Sequence, residues 1–312
     1  MDFTLSGEAH DLAALTRDLV DSGRPLWPAL AEAGVLAAAL PKRAGGEGYG
    51  LLEQCAILVE LGRAAATVPY LPSIVAAAST LARFGTDEQV ASWAEPAGRG
   101  ALVLTAATDL ALVPAAAEAA LVLAPDGPDV LLVRPGEVTP QRVEGGPGAG
   151  SIEPDVPLTE RLRDAGARLV EHAAIGACAA QLGVIERALE MTAEYTRSRV
   201  QFGKPIGSFQ AVTQRLADAY VDVEALRLTT WQAAWLLASD RPAAAEVATA
   251  AFWAAEAGHR VLHTAVHLHG GVGIDVEYPL HRYFLAAKYH EFLLGGATGQ
   301  LLALAATLGE DG

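Results

Sequence analysis

The sequence predicts a mainly α-helical protein with an N-terminal helical domain, a reduced central β domain and a C-terminal four-helix bundle. Apolar residues recur at three- and four-residue steps over residues 1–97 and again over residues 161–312, as they do along one face of a helix. Between these regions, residues 98–160 carry short apolar runs of the kind found in strands. The length of 312 residues suits about two domains, so the chain can bury a substantial core.

The N-terminal domain is predicted to be a succession of helices that proline and glycine separate. Its helical period rests on three apolar series, the last of which follows a glycine-rich stretch: Leu12, Leu15 and Leu19; Leu30, Ala33 and Leu36; and Leu51, Cys55, Leu58 and Leu61. The N-terminal segment carries acidic residues where a signal peptide carries positive charge, so we expect a cytoplasmic protein.

The central region is predicted to be a small, truncated β domain. Strand-like runs occur at residues 101–105, 120–123 and 130–133, and a Pro-Asp-Gly-Pro break at residues 125–128 separates the last two. Residues 144–155 are rich in Gly and Pro, and we expect them to form a loop or linker.

The C-terminal region is predicted to contain four long helices, at residues 163–199, 209–239, 242–270 and 278–308. The segments GKPIGS, SDRP and HGGVGI separate them, and short connections between long helices favour an antiparallel bundle. Ser208 is placed to cap the second of these helices.

Composition argues against several kinds of function. The net charge is −15 and the pI is about 4.9, so the field of the protein repels nucleic acids and anionic membranes. Charged residues interrupt the apolar runs before they reach the roughly 18 residues of a membrane span. Cys55 and Cys178 stand in no metal-ligand or CxxC spacing, so we expect neither a disulfide nor a metal site.

Three clusters of residues could carry chemistry, although each also has a purely structural reading. Residues 197–210 hold three cations, two glutamines and two aromatics, yet a cation at the end of a helix also complements the helix dipole. Residues 267–274 hold three glycines, which alone would indicate a helix C-cap. The third cluster is Glu-Tyr-Pro-Leu-His-Arg at residues 277–282. No nucleophile elbow, P-loop or GxGxxG motif follows a strand, so those chemistries have no support.

Taken together, RSRVQFGKPIGSFQ, HLHGGVGIDVEYPLHR and the closing helix resemble the C-terminal half of the acyl-CoA dehydrogenase family. The resemblance covers residues 165–308 well, the N-terminal helices in a generic way, and the β region poorly. Because that family combines a helical domain, a β domain and a four-helix bundle, the resemblance implies an acyl-CoA dehydrogenase-like fold.

The resemblance also implies that FAD binds across a subunit interface. A guanidinium suits the pyrophosphate because it donates two parallel hydrogen bonds, and glycine lets the backbone approach the nucleotide closely. His267 replaces a glutamine that is usual in the family motif. The positions that match FAD-contacting residues are Arg199, Gln201, Phe202, Phe209, Gln210, His267, Gly270 and Gly271.

The catalytic base of the family has no counterpart at its expected positions. Family members remove an α-proton with a glutamate while a β-hydride passes to the flavin. The resemblance places this glutamate at position 294 or, in other members, at position 173, where the chain has Leu294 and Ala173. Glu291 and Glu171 lie nearby, but a surface role is favoured for both. We therefore assign no catalytic residue.

The β region departs from the family pattern as well, because residues 104–109 lack the usual Glu and Gly-Ser-Asp and the flavin-covering strand is not found. The main hypothesis is a base-less subunit of a heteromeric acyl-CoA dehydrogenase, similar to the short chains of actinobacterial α2β2 enzymes that act on CoA thioesters of steroid side chains in β-oxidation. A longer subunit then supplies the glutamate, an electron-transfer flavoprotein accepts the electrons, and the isolated chain is inactive. The alternatives are a self-sufficient homo-oligomeric flavoenzyme with a relocated base, an oxygen-using relative, and a non-catalytic scaffold.

Overall fold

The computed structural model describes residues 5–154 and 160–309. The protein is mainly helical, at 64% of residues, with helices at both ends of the chain and a small sheet region between them. The fold class expected from the sequence is therefore confirmed.

The N-terminal helices are mostly short, and the two longest, α1 (Gly7–Asp21) and α4 (Leu51–Arg63), pack against each other. Ser6 caps α1, because its hydroxyl accepts a hydrogen bond from the Ala9 N–H at 3.0 Å. The Leu30 to Leu36 series is divided between two helices, because Gly34 adopts φ +75° and ends the first of them. The helices are α1 (Gly7–Asp21), α2 (Leu26–Glu32), α3 (Val35–Ala38), α4 (Leu51–Arg63), α5 (Ser79–Phe84), α6 (Asp87–Gln89) and α7 (Glu95–Gly98), with π-helical turns at Leu71–Ala78 and Val90–Ala94 and a 3₁₀ turn at Lys42–Ala44.

The central strands form two small sheets. One has the order β1-β3-β4-β7, in which β1 and β3 are parallel, and the other has the order β2-β6-β5. The three predicted runs each overlap a strand, and the Asp126 to Asp129 hairpin closes the break between the last two. The strands are β1 (Val103–Ala106), β2 (Val113–Pro114), β3 (Ala119–Asp126), β4 (Asp129–Val133), β5 (Pro135–Gln141), β6 (Ala149–Pro154) and β7 (Arg161–Leu162).

The expectation of a loop throughout residues 144–155 is wrong, because β6 occupies Ala149–Pro154. This strand forms backbone hydrogen bonds with β5 and β2. Its own Gly- and Pro-rich sequence is not typical of a strand, so the sequence alone did not predict it. Position 155 of that prediction lies outside the described residues.

The C-terminal region is the helical bundle, and three of its helices agree with the predicted ranges to within a few residues. The expected fourth helix at 278–308 is wrong, because Gly295 and Gly296 adopt φ +75° and +73° and divide it into two. Helix α10 lies at the centre and contacts the other four. The helices are α8 (Gly166–Ser198), α9 (Gln210–Ala238), α10 (Ala244–His269), α11 (Leu280–Leu293) and α12 (Gly296–Gly309).

Helix α8 joins the N-terminal helices to the bundle. A Cβ on Gly62 of α4 would lie 2.0 Å from the Ala180 oxygen, and one on Gly183 of α8 would lie 1.9 Å from the Val59 oxygen. The two backbones therefore meet where both helices lack side chains. In the described parts of the chain, α8 alone is long and apolar enough for a membrane span, and 72% of its most apolar stretch is buried inside the protein.

Candidate functional site

The first predicted cluster forms an exposed hairpin at the end of α8. Strands β8 (Val200–Gln201) and β9 (Lys204–Pro205) pair, and Phe202 and Gly203 make the turn with φ +53° and +76°. Phe202 is 93% exposed, which is unusual for a large apolar residue. A non-glycine residue with positive φ is strained, and such strain concentrates at binding sites. The hairpin thus presents Phe202 outward.

The hairpin packs against the start of α9. The Lys204 Nζ lies 4.3 Å from the centre of the Phe209 ring, and the Phe202 and Phe209 rings meet edge to face at 6.2 Å. Gln210 is the first residue of α9. Ser208 does not cap this helix as expected, because its hydroxyl donates to the Pro205 oxygen at 2.7 Å instead.

The second cluster ends α10. Gly270 adopts φ +64°, which ends the helix and confirms the expected C-cap, and a 3₁₀ turn follows at Gly270–Ile274. A Cβ on Gly270 or Gly271 would meet nothing within 4 Å. The described residues therefore leave the space over these two glycines open, so another group can approach the backbone closely there.

Tyr195 and His269 bring the two clusters to the same end of the bundle. Their ring centres lie 4.3 Å apart in a stacked arrangement, and the centre of the Tyr278 ring lies 5.3 Å from that of His269. The Nδ1 of His269 lies 2.8 Å from the Ala265 oxygen, whereas its buried Nε2 has no hydrogen-bond partner among the described residues. Sequence reasoning missed this stack, although the aromatic residue just before the first cluster was a usable signal.

Three cations at this end of the bundle form no ion pair with the described carboxylates. Within the described ranges, Arg197, Arg199 and Lys204 have no carboxylate within 4.0 Å, despite the net charge of −15. The exposed amides of Gln201 and Gln210 add neutral donors. Free guanidinium, amide donors and open glycine backbone together suit the phosphates of a dinucleotide. These residues therefore fit FAD.

His267 is exposed and lies apart from the hairpin. It lines a groove between α9 and α10, together with Gln214 and Arg215 of α9 and His263 one turn earlier on α10. That His267 contacts the nucleotide stays a prediction.

The two expected base positions meet in one cavity. Ala173 of α8 and Leu294 after α11 both line a cavity of about 330 Å³ between the bundle, the π-helical turn and β1. Among the residues that the structure describes, no aspartate or glutamate lines it, and its polar side chains are Thr108, Tyr289 and Gln300. Burial raises the pKa of the Tyr289 phenol to about 12, so this side chain is neutral. The described walls of the cavity thus offer no carboxylate.

Neither of the two nearby glutamates lines this cavity. Glu291 pairs with Lys288 at 2.6 Å and lies 3.6 Å from the Nδ1 of His259, on the face of α11 that meets α10. Burial raises the pKa of the Glu171 carboxyl, while the Arg168 cation opposes this change. Glu171, like Glu291, does not line the cavity.

The segment at residues 104–109 reaches the cavity but brings no carboxylate into it. Ala106, Ala107 and Thr108 line the wall. Asp109 instead turns into its own loop, where its side chain accepts a hydrogen bond from the Ala111 N–H at 2.8 Å.

The chain belongs to the acyl-CoA dehydrogenase family. The model of the family's N-terminal domain matches residues 8–101, and the model of its C-terminal domain matches residues 164–309. Homologues in this family are FAD flavoproteins.

Three proteins are similar to this chain over nearly their whole lengths. The acyl-CoA dehydrogenase FadE27 of Mycobacterium tuberculosis is 44% identical, and the match covers 99% of each chain. A chain of the ChsE4-ChsE5 complex from Mycobacterium tuberculosis has a TM-score of 0.94 at 44% identity, again over 99% of each chain. A chain of the Tcur3481-Tcur3483 steroid acyl-CoA dehydrogenase, a G363A variant, has a TM-score of 0.90 at 35% identity over 99% of each chain. The chain is therefore close to subunits of heteromeric steroid acyl-CoA dehydrogenases.

Proposed function

We propose that this chain is the base-less subunit of a heteromeric, FAD-dependent acyl-CoA dehydrogenase. One observation carries the proposal: both expected base positions, Leu294 and Ala173, line one cavity whose described walls hold no carboxylate. The cofactor-binding cluster is nevertheless kept and exposed. A chain with this combination completes a flavin site but cannot remove a proton within its own cavity. A longer partner subunit supplies the glutamate.

The residues of this chain then bind and orient the nucleotide. Arg199 holds the pyrophosphate, Gln201 and Gln210 donate to neighbouring oxygens, and Phe202 and Phe209 give an apolar surface beside them. The backbone of Gly270 and Gly271 offers open space against which the nucleotide lies. When bound, FAD would supply the acceptor for the hydride that leaves the β-carbon of the acyl thioester.

The surface around these residues supports a partner across the cofactor. Besides Phe202, four apolar residues are exposed among those described at this end of the bundle: Val200 at 53%, Val272 at 42%, Ile274 at 73% and Val276 at 71%. Clustered apolar exposure is typical of an interface. The names of the similar complexes support a two-component assembly and a steroid substrate. The proposal goes further, to an α2β2 assembly and a steroid side-chain CoA thioester. An electron-transfer flavoprotein as acceptor and a cytoplasmic location complete the proposal.

The flavin spectrum tests this function. We expect the chain alone to be colourless, and the pair purified after co-expression with a longer acyl-CoA dehydrogenase subunit to hold about one FAD per two chains, as a shared site requires. Arg199→Ala should then lower the FAD content of the pair, whereas Arg142→Ala, which changes an exposed arginine of the β region, should not. A full complement of FAD on the chain alone contradicts the proposal.

The same preparations separate the alternatives. A self-sufficient enzyme with a relocated base loses turnover on Glu291→Gln or Glu171→Gln, which the positions of both residues outside the cavity disfavour. A scaffold keeps its flavin content and turnover unchanged on Arg199→Ala.

A further inference from the structure

Two separate cavities lie on either side of Tyr289. The larger one, of about 330 Å³, is the cavity that Ala173 and Leu294 line. The smaller one, of about 40 Å³, lies toward α4 and is lined by Leu58, Gly62 and Val184. Tyr289, Leu71 and Pro72 line both cavities and therefore form the wall between them.

Contacts from the β region fix the position of the Tyr289 ring. A Cβ on Gly146 would lie only 2.5 Å from the ring Cζ, so the loop rests directly on the ring and only glycine fits there. Neighbouring Gly145 lies directly against the backbone of α11, the helix that carries Tyr289. A Cβ on Gly145 would lie only 2.3 Å from the Leu285 oxygen. The wall is thus held from one side by a loop and from the other by α11.

The lining of the larger cavity selects an uncharged ligand. Its walls are mostly aliphatic, with Leu169, Val170 and Leu293 among them, and no charged side chain of the described residues lines it. An alkyl group that binds there removes apolar surface from water, which favours its binding. The volume lies at the small end of the roughly 300–1,000 Å³ usual for ligand sites. A short apolar group fits, and a larger one requires the space beyond Tyr289.

We propose that this chain holds a second, non-catalytic binding site for the apolar group of an acyl thioester, and that Tyr289 sets its depth. The choice of an acyl thioester as ligand rests on the proposed function, whereas the site itself rests on the cavity. Because no base lines the cavity, a thioester bound there is retained unchanged. The assembly then contains acyl-binding sites that do not turn over beside those that do.

Calorimetric titration of the flavin-free chain with octanoyl-CoA tests the site, with free CoA as the reference ligand. We expect octanoyl-CoA to bind at least tenfold more tightly than CoA, because burial of each methylene adds about 0.8 kcal/mol. Ala173→Phe and Ala174→Leu fill the cavity and should each remove that advantage. Ala167→Phe and Ala167→Leu place the same groups on the exposed face of α8 and should leave it intact. Equal binding of the two ligands, or equal losses in filled and control variants, overturns the site.

Chain-length preference tests the role of Tyr289. Tyr289→Ala opens the wall into the second cavity, so the affinity for dodecanoyl-CoA relative to that for octanoyl-CoA should rise at least tenfold. Tyr289→Phe keeps the ring and should leave this ratio of affinities unchanged. Circular dichroism melting confirms that the variants fold, and Tyr289→Val serves as a milder opening if the alanine variant does not. An unchanged preference in the opened variants overturns the role of Tyr289.

These titrations need neither flavin nor partner. If the chain binds octanoyl-CoA but no shared FAD forms with a partner, the proposed function fails and the site stands. If shared FAD forms and no acyl preference is measured, the site fails and the proposed function stands.

Discussion

Single residues decide what the cavity can do, and Leu294 is the most direct example. Leu294 is 6% exposed and lines an apolar wall, so Leu294→Glu would bury a carboxyl without a described cationic partner nearby. We expect a loss of stability of several kcal/mol at neutral pH, measured by urea unfolding.

The pH dependence of this variant gives a second measurement. Burial raises the pKa of the new carboxyl in the folded state, whereas the unfolded chain ionises near pH 4.3. The loss should therefore be small at pH 4 and should grow as the pH rises above that value. Leu294→Gln, which has a similar shape and does not titrate, should show no such slope. If the stability loss of both variants grew with pH in the same way, the buried carboxyl would not be its cause.

Phe202 separates the stability of the chain from its binding role. Asparagine tolerates positive φ better than phenylalanine does, and the exposed ring contributes little burial. Phe202→Asn should therefore change the unfolding free energy of the isolated chain by no more than about 1 kcal/mol. The FAD content of the co-expressed pair should fall, as measured by the flavin absorbance. Unchanged FAD in the pair would show that the ring serves neither the cofactor nor the partner.

At the scale of elements, the crossing of α4 and α8 depends on two glycines. Gly183→Ala would force a methyl group to within 1.9 Å of the Val59 oxygen, so the helices must separate. We expect the free energy of unfolding, measured with urea, to fall by at least about 1–3 kcal/mol. Gly7→Ala is the matched control, because a Cβ there meets nothing within 4 Å. Equal stability of the two variants would mean that α4 and α8 can move apart at this contact without a loss of stability.

Elements also show why the sequence predicts some parts of the fold and not others. Helices α8 to α10 were predicted well because long apolar periods and Gly or Pro breaks agree there. Strand β6 was missed because its order comes from pairing with β5 and β2 and not from its own residues. The break before α12 was missed because the apolar residues continue on both sides of Gly295 and Gly296.

The candidate site, like the fold, could be predicted from the sequence only in part. The motif residues near Arg199 and Gly270 could be found because each short segment carries its own pattern. The meeting of Ala173 with Leu294, and the wall at Tyr289, depend on contacts between α8 and α11 that no local pattern encodes. Two residues from distant helices become one site only through packing.

At the scale of the whole molecule, stability against acid should depend on buried histidines. Burial lowers the pKa of His172 to about 3 and that of His290 to about 4, from an ordinary value of 6.5. Both side chains are therefore neutral in the folded protein. The unfolded chain takes up protons on them below about pH 6.5, so the folded state loses stability as the pH falls from there toward the folded pKa values.

His172 isolates this effect from opposing ones, such as the raised pKa of the Glu186 carboxyl, which stabilises the folded state as the pH falls. Within the described residues, neither ring nitrogen of His172 has a hydrogen bond of ordinary geometry, and the Val75 backbone beside it only weakly opposes the effect of burial. An apolar side chain therefore loses little there. His172→Leu should raise the melting temperature, and by more at pH 5 than at pH 7.5, because the variant has no imidazole to protonate on unfolding. Exposed His10→Leu is the control and should leave the pH slope unchanged. If His172→Leu lowers the melting temperature equally at both values of pH, then the imidazole contributes packing that outweighs its desolvation.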